Sequence, residues 1–306
     1  MSGRRATFTM HTLAMCFIAL CAFRLLVPWG SSSSSSSSSR STAVTKNTDL
    51  RPYTLAHKRS ASPDSQLLTF ALPAGTTLER PASSAVTVQF GGGGGTDTDH
   101  PYEKSYSVVS HPARTGSFDL LVRSYPPAPG GGVGHYLCNL PVGGRALMRI
   151  KPPRQFGGKA GVLGRWRQLG LVAGGTGVAP FVQIIRTLLA DPADATRIAL
   201  LSVNRHGPQA DALLREELDA LAALHPARLR TTWHFTAPPA GRGDLAALGR
   251  RALPPTTGGD GGTMVMVCGR DGFVGAWAGV KVKKQQGAVR GALKELGYTD
   301  SEVYRY

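Results

Sequence analysis

The sequence predicts two domains in series, an N-terminal antiparallel β-barrel and a C-terminal α/β doubly wound domain, preceded by a segment that belongs to neither. Three observations lead there. The chain has 306 residues, room for two domains of about 150 residues each. From Gln66 to about Ile150 the apolar runs are short, rich in Val and Phe, and broken by Gly and Pro. After Trp166 strand-like and helix-like runs alternate, the pattern that builds a parallel sheet with helices on its faces. A composition of 42% hydrophobic and 18% charged residues, with 38 Gly and 21 Pro, excludes collagen, a long coiled coil and a wholly disordered chain.

Residues 1–47 are the segment apart. They carry Arg4, Arg5, Arg24, Arg40 and Lys46, and an apolar run from Leu13 to Phe23 continued by Leu25, Leu26 and Val27, with no acid before Asp49. A helix from about Met10 to Trp29, with Arg24 snorkelling, is long enough to cross a bilayer. The segment reads as a membrane anchor of mitochondrial or endoplasmic-reticulum destination, a cleaved transit peptide, or a secretory signal. The serine run Ser31–Ser39 reads as a flexible tether.

The barrel domain, residues 48–160, is expected to place strands at Leu67–Ala71, Ala85–Phe90, Ser105–Val109, Phe118–Arg123 and Ala146–Ile150, with Gly91–Gly95 in a long hairpin loop. The Gly- and basic-rich stretch Lys151–Arg165 joins it to residues 161–306. There Gln168–Ala173 reads as a buried strand, and Pro180 opens a helix that puts Phe181, Ile184, Ile185, Leu188 and Leu189 on one face. A strand over Ile198–Val203, a helix over Asp211–Leu224 with Leu214, Leu218 and Leu221 facing inward, and strands over Leu229–Phe235 and Met264–Cys268 follow. The insertion Ala237–Gly262 carries no functional signal.

The net charge of +16, from 35 Lys and Arg against 19 Asp and Glu, is spread along the chain. Its densest cluster, Lys281, Lys283 and Lys284, is short and lacks interleaved aromatics, so no nucleic-acid arm is indicated. A distributed basic surface suits an acidic protein partner or anionic headgroups. The four cysteines, at 16, 21, 138 and 268, have no metal-site spacing, which argues against a zinc site or a disulfide framework.

Two motifs carry chemistry. Ala173-Gly-Gly-Thr-Gly-Val-Ala-Pro180 lies between a buried strand and a helix start, where backbone N–H groups and the helix dipole meet a nucleotide phosphate. A generic turn would explain Gly174, Gly175 and Gly177 alone, and no Lys-Ser/Thr follows to make a P-loop. Met264-Val-Met-Val-Cys-Gly-Arg-Asp-Gly-Phe273 ends a second strand at Cys268-Gly269, the end of a parallel strand at which ligands bind. Taken alone, Cys268 is equally a small buried hydrophobe.

From about Thr54 to Tyr306 the chain resembles the ferredoxin reductase-like flavoproteins, and within them the NADH-cytochrome b5 reductase branch. Leu171–Pro180 looks like that family's AGGTGITP loop, and Cys268–Phe273 like its CGPPGF/M loop. Leu200–Asn204 with Asp211–Leu218 is similar to LLxAN…DILLREEL, and Gly116-Ser-Phe-Asp-Leu-Leu-Val-Arg-Ser-Tyr-Pro126 to GxFDLxVKxYP. The ending Val303-Tyr-Arg-Tyr306 has Tyr where the branch ends in Phe. Lys104-Ser-Tyr-Ser107 with Ser110 then stands where the family has its RxYS/T flavin motif, and Gly130–Leu137 where it has GGKMSQYL. Arg51-Pro-Tyr-Thr54 spells RPYT but precedes the expected opening strand, and is read as coincidence.

The resemblance implies an FAD-binding barrel and an NAD-binding α/β domain, together passing electrons from NADH to a one-electron acceptor such as cytochrome b5. It implies catalytic roles for Tyr106, Ser107 and Cys268. Flavin binding would fall to Lys104, Tyr106, Ser107, Ser110, Arg123, Tyr125, Gly132, Val133 and Gly134. Nucleotide binding would fall to Gly174, Gly175, Thr176, Gly177, Asp211, Cys268, Gly269 and Phe273, with Asp211 favouring NADH and Arg205 pulling towards a 2′-phosphate. Lys104 replaces an Arg and loses its planar fork, Gly134 replaces a Ser, and Lys151-Pro-Pro-Arg154 stands where GPxG is expected. Those departures support an alternative, a non-enzymatic membrane-tethered paralogue with a degenerate flavin site. A nucleotide sensor without redox chemistry is a third reading.

Overall fold

The computed structural model describes residues 49–78, 85–91, 101–125, 132–151, 154–156, 159–204, 212–236, 242–282 and 285–306. The anchor and serine tether, most of the Gly91–Gly95 loop, Arg205, Asp211, Lys283 and Lys284 lie outside those residues. Among the described residues no helix is long and apolar enough to cross a membrane.

The first domain is a six-stranded antiparallel sheet in the order β4-β3-β6-β1-β2-β5. Its strands are β1 (Arg51–Ser62), β2 (Ser65–Ala71), β3 (Ala85–Phe90), β4 (Tyr102–Ser107), β5 (Ser117–Arg123) and β6 (Arg145–Ile150). The long β1 changes partner along its length, pairing with β6 through Arg51–Thr54 and with β2 from Leu55 onward. Just past β4, Val108 bridges Leu120 of β5 and the Val109 N–H donates to the Asp119 carbonyl at 2.9 Å. That contact brings the two edges of the sheet together, as a barrel requires. Inside lie Leu55, Leu68, Phe70, Val86, Val88, Phe118, Leu120 and Met148, and the helix α1 (Val133–Asn139) adds Val133 and Leu137 to the same core.

The opening strand is a correction. Arg51-Pro-Tyr-Thr54 does not precede it but begins it, and the Tyr53 ring is buried edge-on against Phe118, centroids 5.5 Å apart. Most of β1 is exposed or half-buried, so it lacks the apolar run by which the other strands are recognised. The fourth strand also starts earlier than expected, at Tyr102.

After a short pair, β7 (Gln155–Phe156) and β8 (Lys159–Ala160), the chain enters a five-stranded sheet of order β11-β10-β9-β12-β13, parallel throughout. Its strands are β9 (Gln168–Gly174), β10 (Arg197–Asn204), β11 (Leu229–Phe235), β12 (Thr263–Cys268) and β13 (Val303–Arg305). The central β9 is apolar without interruption because both faces are covered. Leu169, Leu171 and Ala173 pack with Phe181, Ile184 and Leu188 of α2 (Ala179–Ala190) and Leu218 of α3 (Arg215–Leu224). Val172 faces Leu245 and Leu248 of α4 (Arg242–Ala252), Trp277 of α5 (Asp271–Ala278) and Leu293 of α6 (Gly291–Glu295). Two helix expectations change. The third helix starts at Arg215, after Leu214 takes a left-handed φ of 59°, a conformation that interrupts a helix for a branched residue. The insertion Ala237–Gly262 holds α4.

Candidate active site

The site forms where the carboxyl ends of β9 and β12 meet the barrel. Beyond β9 the chain makes one 3-10 turn, Gly175–Val178, before α2, whose first turn contains Pro180. Beyond β12 it passes Cys268-Gly269-Arg270 into α5. The two loops touch closely. A Cβ on Gly177 would lie 2.2 Å from the Cys268 carbonyl oxygen, and Cβ atoms on Gly174 or Gly269 would strike the Phe273 ring at 2.8 and 2.6 Å. The glycines therefore let two strand ends interlock, in addition to any approach by a phosphate. Thr176 is half-buried at the turn.

Arg123, at the end of β5, reaches this turn from the barrel. Its Nε lies 3.1 Å from both Asp64 Oδ1 and Ser65 Oγ, and a Cβ on Gly175 would come within 3.0 Å of its Nη1. Gly175 is also held at φ +54°. The contact explains why this position is glycine and fixes one barrel cation against the nucleotide loop.

On β4, Lys104 and Tyr106 are two residues apart and so share a face; Tyr106 is buried and Lys104, nearer the strand's start, is exposed. The Tyr106 hydroxyl is buried without a hydrogen-bond partner among the described residues, and burial, followed by the Cys138 and Tyr125 groups, raises its pKa. Against it lies α1, with Gly132 as N-cap and Val133 buried. A Cβ on Gly134 would lie 2.5 Å from the Arg123 carbonyl oxygen and 3.4 Å from the Tyr106 hydroxyl. The change from Ser to Gly is thus demanded by the local packing.

Lys104 Nζ sits 5.7 Å from the Tyr106 ring centroid and 5.4 Å from that of Tyr125. The Arg270 guanidinium, from the other domain, is also 5.4 Å from the Tyr125 ring. Partial burial, then the positive charge of Arg270, lower the Lys104 pKa. Cys268 is half-buried, and burial pushes its thiol up to about 12 against the pull of Arg154 and Lys281, so it remains a neutral thiol at physiological pH.

Of the residues expected at the site, Lys104, Tyr106, Arg123, Tyr125 and Gly134 converge in the barrel corner, and Gly174–Gly177, Cys268, Gly269 and Phe273 form the facing loops. The half-buried Ser107 pairs with Ala85 beside them. Ser110 differs: its Oγ accepts the Asp119 N–H at 3.1 Å and its carbonyl accepts from Gln183 Nε2 at 3.3 Å, so its polar atoms serve the fold. Sequence reasoning missed Arg270. Its signal was present, a cation where the similar family has the first Pro of CGPP.

A buried hydroxyl without a partner, a cation and a glycine cradle in one corner fit a polar, flat, phosphate-bearing cofactor. Residues 52–155 match the family model described as oxidoreductase FAD-binding domain, and residues 171–278 the one described as oxidoreductase NAD-binding domain. NADH-cytochrome b5 reductase 2 of Coccidioides immitis is 32% identical over 221 residues, 69% of this chain, which spans 64% of that protein's length. NADH-cytochrome b5 reductase 1 of Mycosarcoma maydis is 32% identical over 241 residues, 77% of this chain and 69% of that protein. The cytochrome b5 reductase domain of Ulva prolifera nitrate reductase shares the fold, with a TM-score of 0.64 at 22% identity over 85% of this chain and 98% of that one.

Proposed function

We propose that this chain, which belongs to the NADH-cytochrome b5 reductase family, is an FAD-dependent enzyme that draws electrons from NADH and delivers them singly to a haem protein such as cytochrome b5. The observation that carries the reading is the meeting of the Tyr106 corner with the Gly174–Gly177 turn and Cys268 across Arg123.

When bound, the flavin supplies the conversion of a two-electron hydride donor into a one-electron donor. The chain's own residues bind and orient. Tyr106 offers its hydroxyl, and Lys104 offers charge to the cofactor's phosphates. The 3-10 turn and the start of α2 present backbone N–H groups to the pyrophosphate of NADH. Cys268, as a neutral thiol, lines the nicotinamide side without adding a charge that would oppose transfer. Ser107 would lie on the flavin side of the site, and Asp211 would contribute to the choice of NADH.

Residues 1–47 are proposed to hold the enzyme on a mitochondrial or endoplasmic-reticulum membrane, through the apolar run Leu13–Val27. The basic surface steers an acidic acceptor. The close fit of Gly134 against Arg123 removes one of the departures that favoured a non-enzymatic paralogue.

The test is the visible spectrum of the purified full chain, with NADH added under anaerobic conditions. Stoichiometric flavin, bleached by NADH and reoxidised by cytochrome b5 at a rate that falls with salt, is expected. No bound flavin, and none taken up from added FAD, would overturn the reading.

A further inference from the structure

Two cations from different domains share one aromatic ring. Lys104 of the barrel and Arg270, which follows Gly269 at the end of β12, each place their charge 5.4 Å from the centre of the Tyr125 ring. Neither makes an ion pair with a described residue. Glu103, next to Lys104 on β4, is engaged with Arg149 at 2.5 Å, and Asp271, next to Arg270, forms no ion pair with either cation. Like charges brought to one place repel unless an anion comes between them, and no described carboxylate is within ion-pair distance of either. Beneath Lys104 the Tyr106 hydroxyl is buried and also lacks a partner. Other basic side chains of the chain show the contrast. Arg114, Arg149, Arg186 and Arg228 each have a carboxylate.

We propose that Lys104 and Arg270 are the two jaws of a clamp for a dinucleotide pyrophosphate, one on each domain, closing beside Tyr125. The proposal rests on the reductase reading above and adds to it a residue from the nucleotide domain. The chemistry fits the pair. Lys104 is a point charge without the planar fork of arginine, and Arg270 brings that fork back from the opposite side. An anion held this way also ties the domains together, because each jaw sits on its own sheet. Two sources carry the required group, FAD and NADH, and the geometry accepts either.

The experiment uses the full chain carrying Arg270→Gln, with Arg270→Lys as the charge-conserving control. Arg270 is exposed, so neither change removes packing, and an unchanged urea midpoint checks this. FAD is titrated into deflavinated protein by fluorescence quenching, and NAD+ into flavin-loaded protein by calorimetry. Arg270→Gln is expected to weaken one of the two by about tenfold, the loss of one charge-assisted contact, with Arg270→Lys intermediate. Weaker FAD binding assigns the clamp to the flavin, and weaker NAD+ binding with unchanged FAD assigns it to the nicotinamide nucleotide. Both affinities within twofold of wild type, or Arg270→Lys as weak as Arg270→Gln, would sink the clamp. Failure of the unsubstituted chain to take up FAD would sink the reductase reading, and NAD+ titrated into the flavin-free wild-type and Arg270→Gln chains would then decide the clamp, equal affinities overturning it.

Discussion

Arg305, at the end of β13, and Tyr106, on β4, are both buried, and their polar atoms fare differently. The Arg305 guanidinium donates to the carbonyls of Ala278, Gly279, Gln286, Gly287 and Ala288. Three residues earlier, Glu302 accepts from the Thr256 and Thr299 hydroxyls and from the Thr257 and Thr299 N–H groups. Burial alone would raise the Glu302 pKa, and these donors hold it below the usual carboxylate range. On β4 of the barrel, among the described residues, the Tyr106 hydroxyl has no partner and the nearby Lys104 and Arg270 have no carboxylate. The contrast lies between individual groups, since Trp277 Nε1, next to Ala278, is also buried without a partner among the described residues; the Tyr106 hydroxyl differs in having cations gathered beside it, as a ligand corner requires.

The sharpest way to break that comparison is at its satisfied end. Arg305→Met removes the donor shared by the carbonyls of the buried Ala278 and Gly279 and of the neighbouring Gln286, Gly287 and Ala288. Urea unfolding of the full chain is expected to show a loss of roughly 3 kcal/mol or more, since each buried acceptor left without a partner carries its own desolvation cost. A loss below about 1 kcal/mol would mean that the carbonyls find other donors, and that satisfaction there does not hold the fold.

How much of this was legible in the sequence differs by residue. The strands β9, β10 and β12 were plain, because burial on both faces makes them apolar throughout. β1 was not, because most of its residues face outward, and Arg51-Pro-Tyr-Thr54 was misplaced with it. The Cys268-Gly269 loop and the Gly174–Gly177 turn were legible as motifs, but not the contact between them. Nothing in a sequence says that Gly177 sits on the Cys268 carbonyl. Gly134 looked like a lost hydroxyl, and its reason is a backbone oxygen on another strand. Arg305 left no pattern at all, because its partners are main-chain carbonyls, which residues of any type supply. Arg270 was visible only as a departure from a motif, and acquired meaning when the fold set Lys104 beside the same ring.

Gly134 gives an intermediate test. Gly134→Ser restores the residue usual at this place in similar proteins, and its Cβ would sit 2.5 Å from the Arg123 carbonyl oxygen. That atom is backbone and cannot rotate aside. A loss of about 1–3 kcal/mol in the urea midpoint, with reduced flavin content, is expected from the overpacking. Unchanged stability would show that α1 moves away from β5 at little cost, and that the corner is less tightly built than the Arg305 region.

The smallest effect tests the open end directly. Tyr106→Phe keeps the ring in the barrel core and deletes a hydroxyl that has no partner. Removing a buried group that makes no hydrogen bond forfeits none, so stability without cofactor should stay within about 0.5 kcal/mol of wild type. FAD affinity should nevertheless fall by about fivefold, the worth of one neutral hydrogen bond. The two readouts separate structure from binding. A variant that loses stability and keeps its flavin would place a protein partner on that hydroxyl, and Tyr106 would then belong with Arg305 as part of the fold.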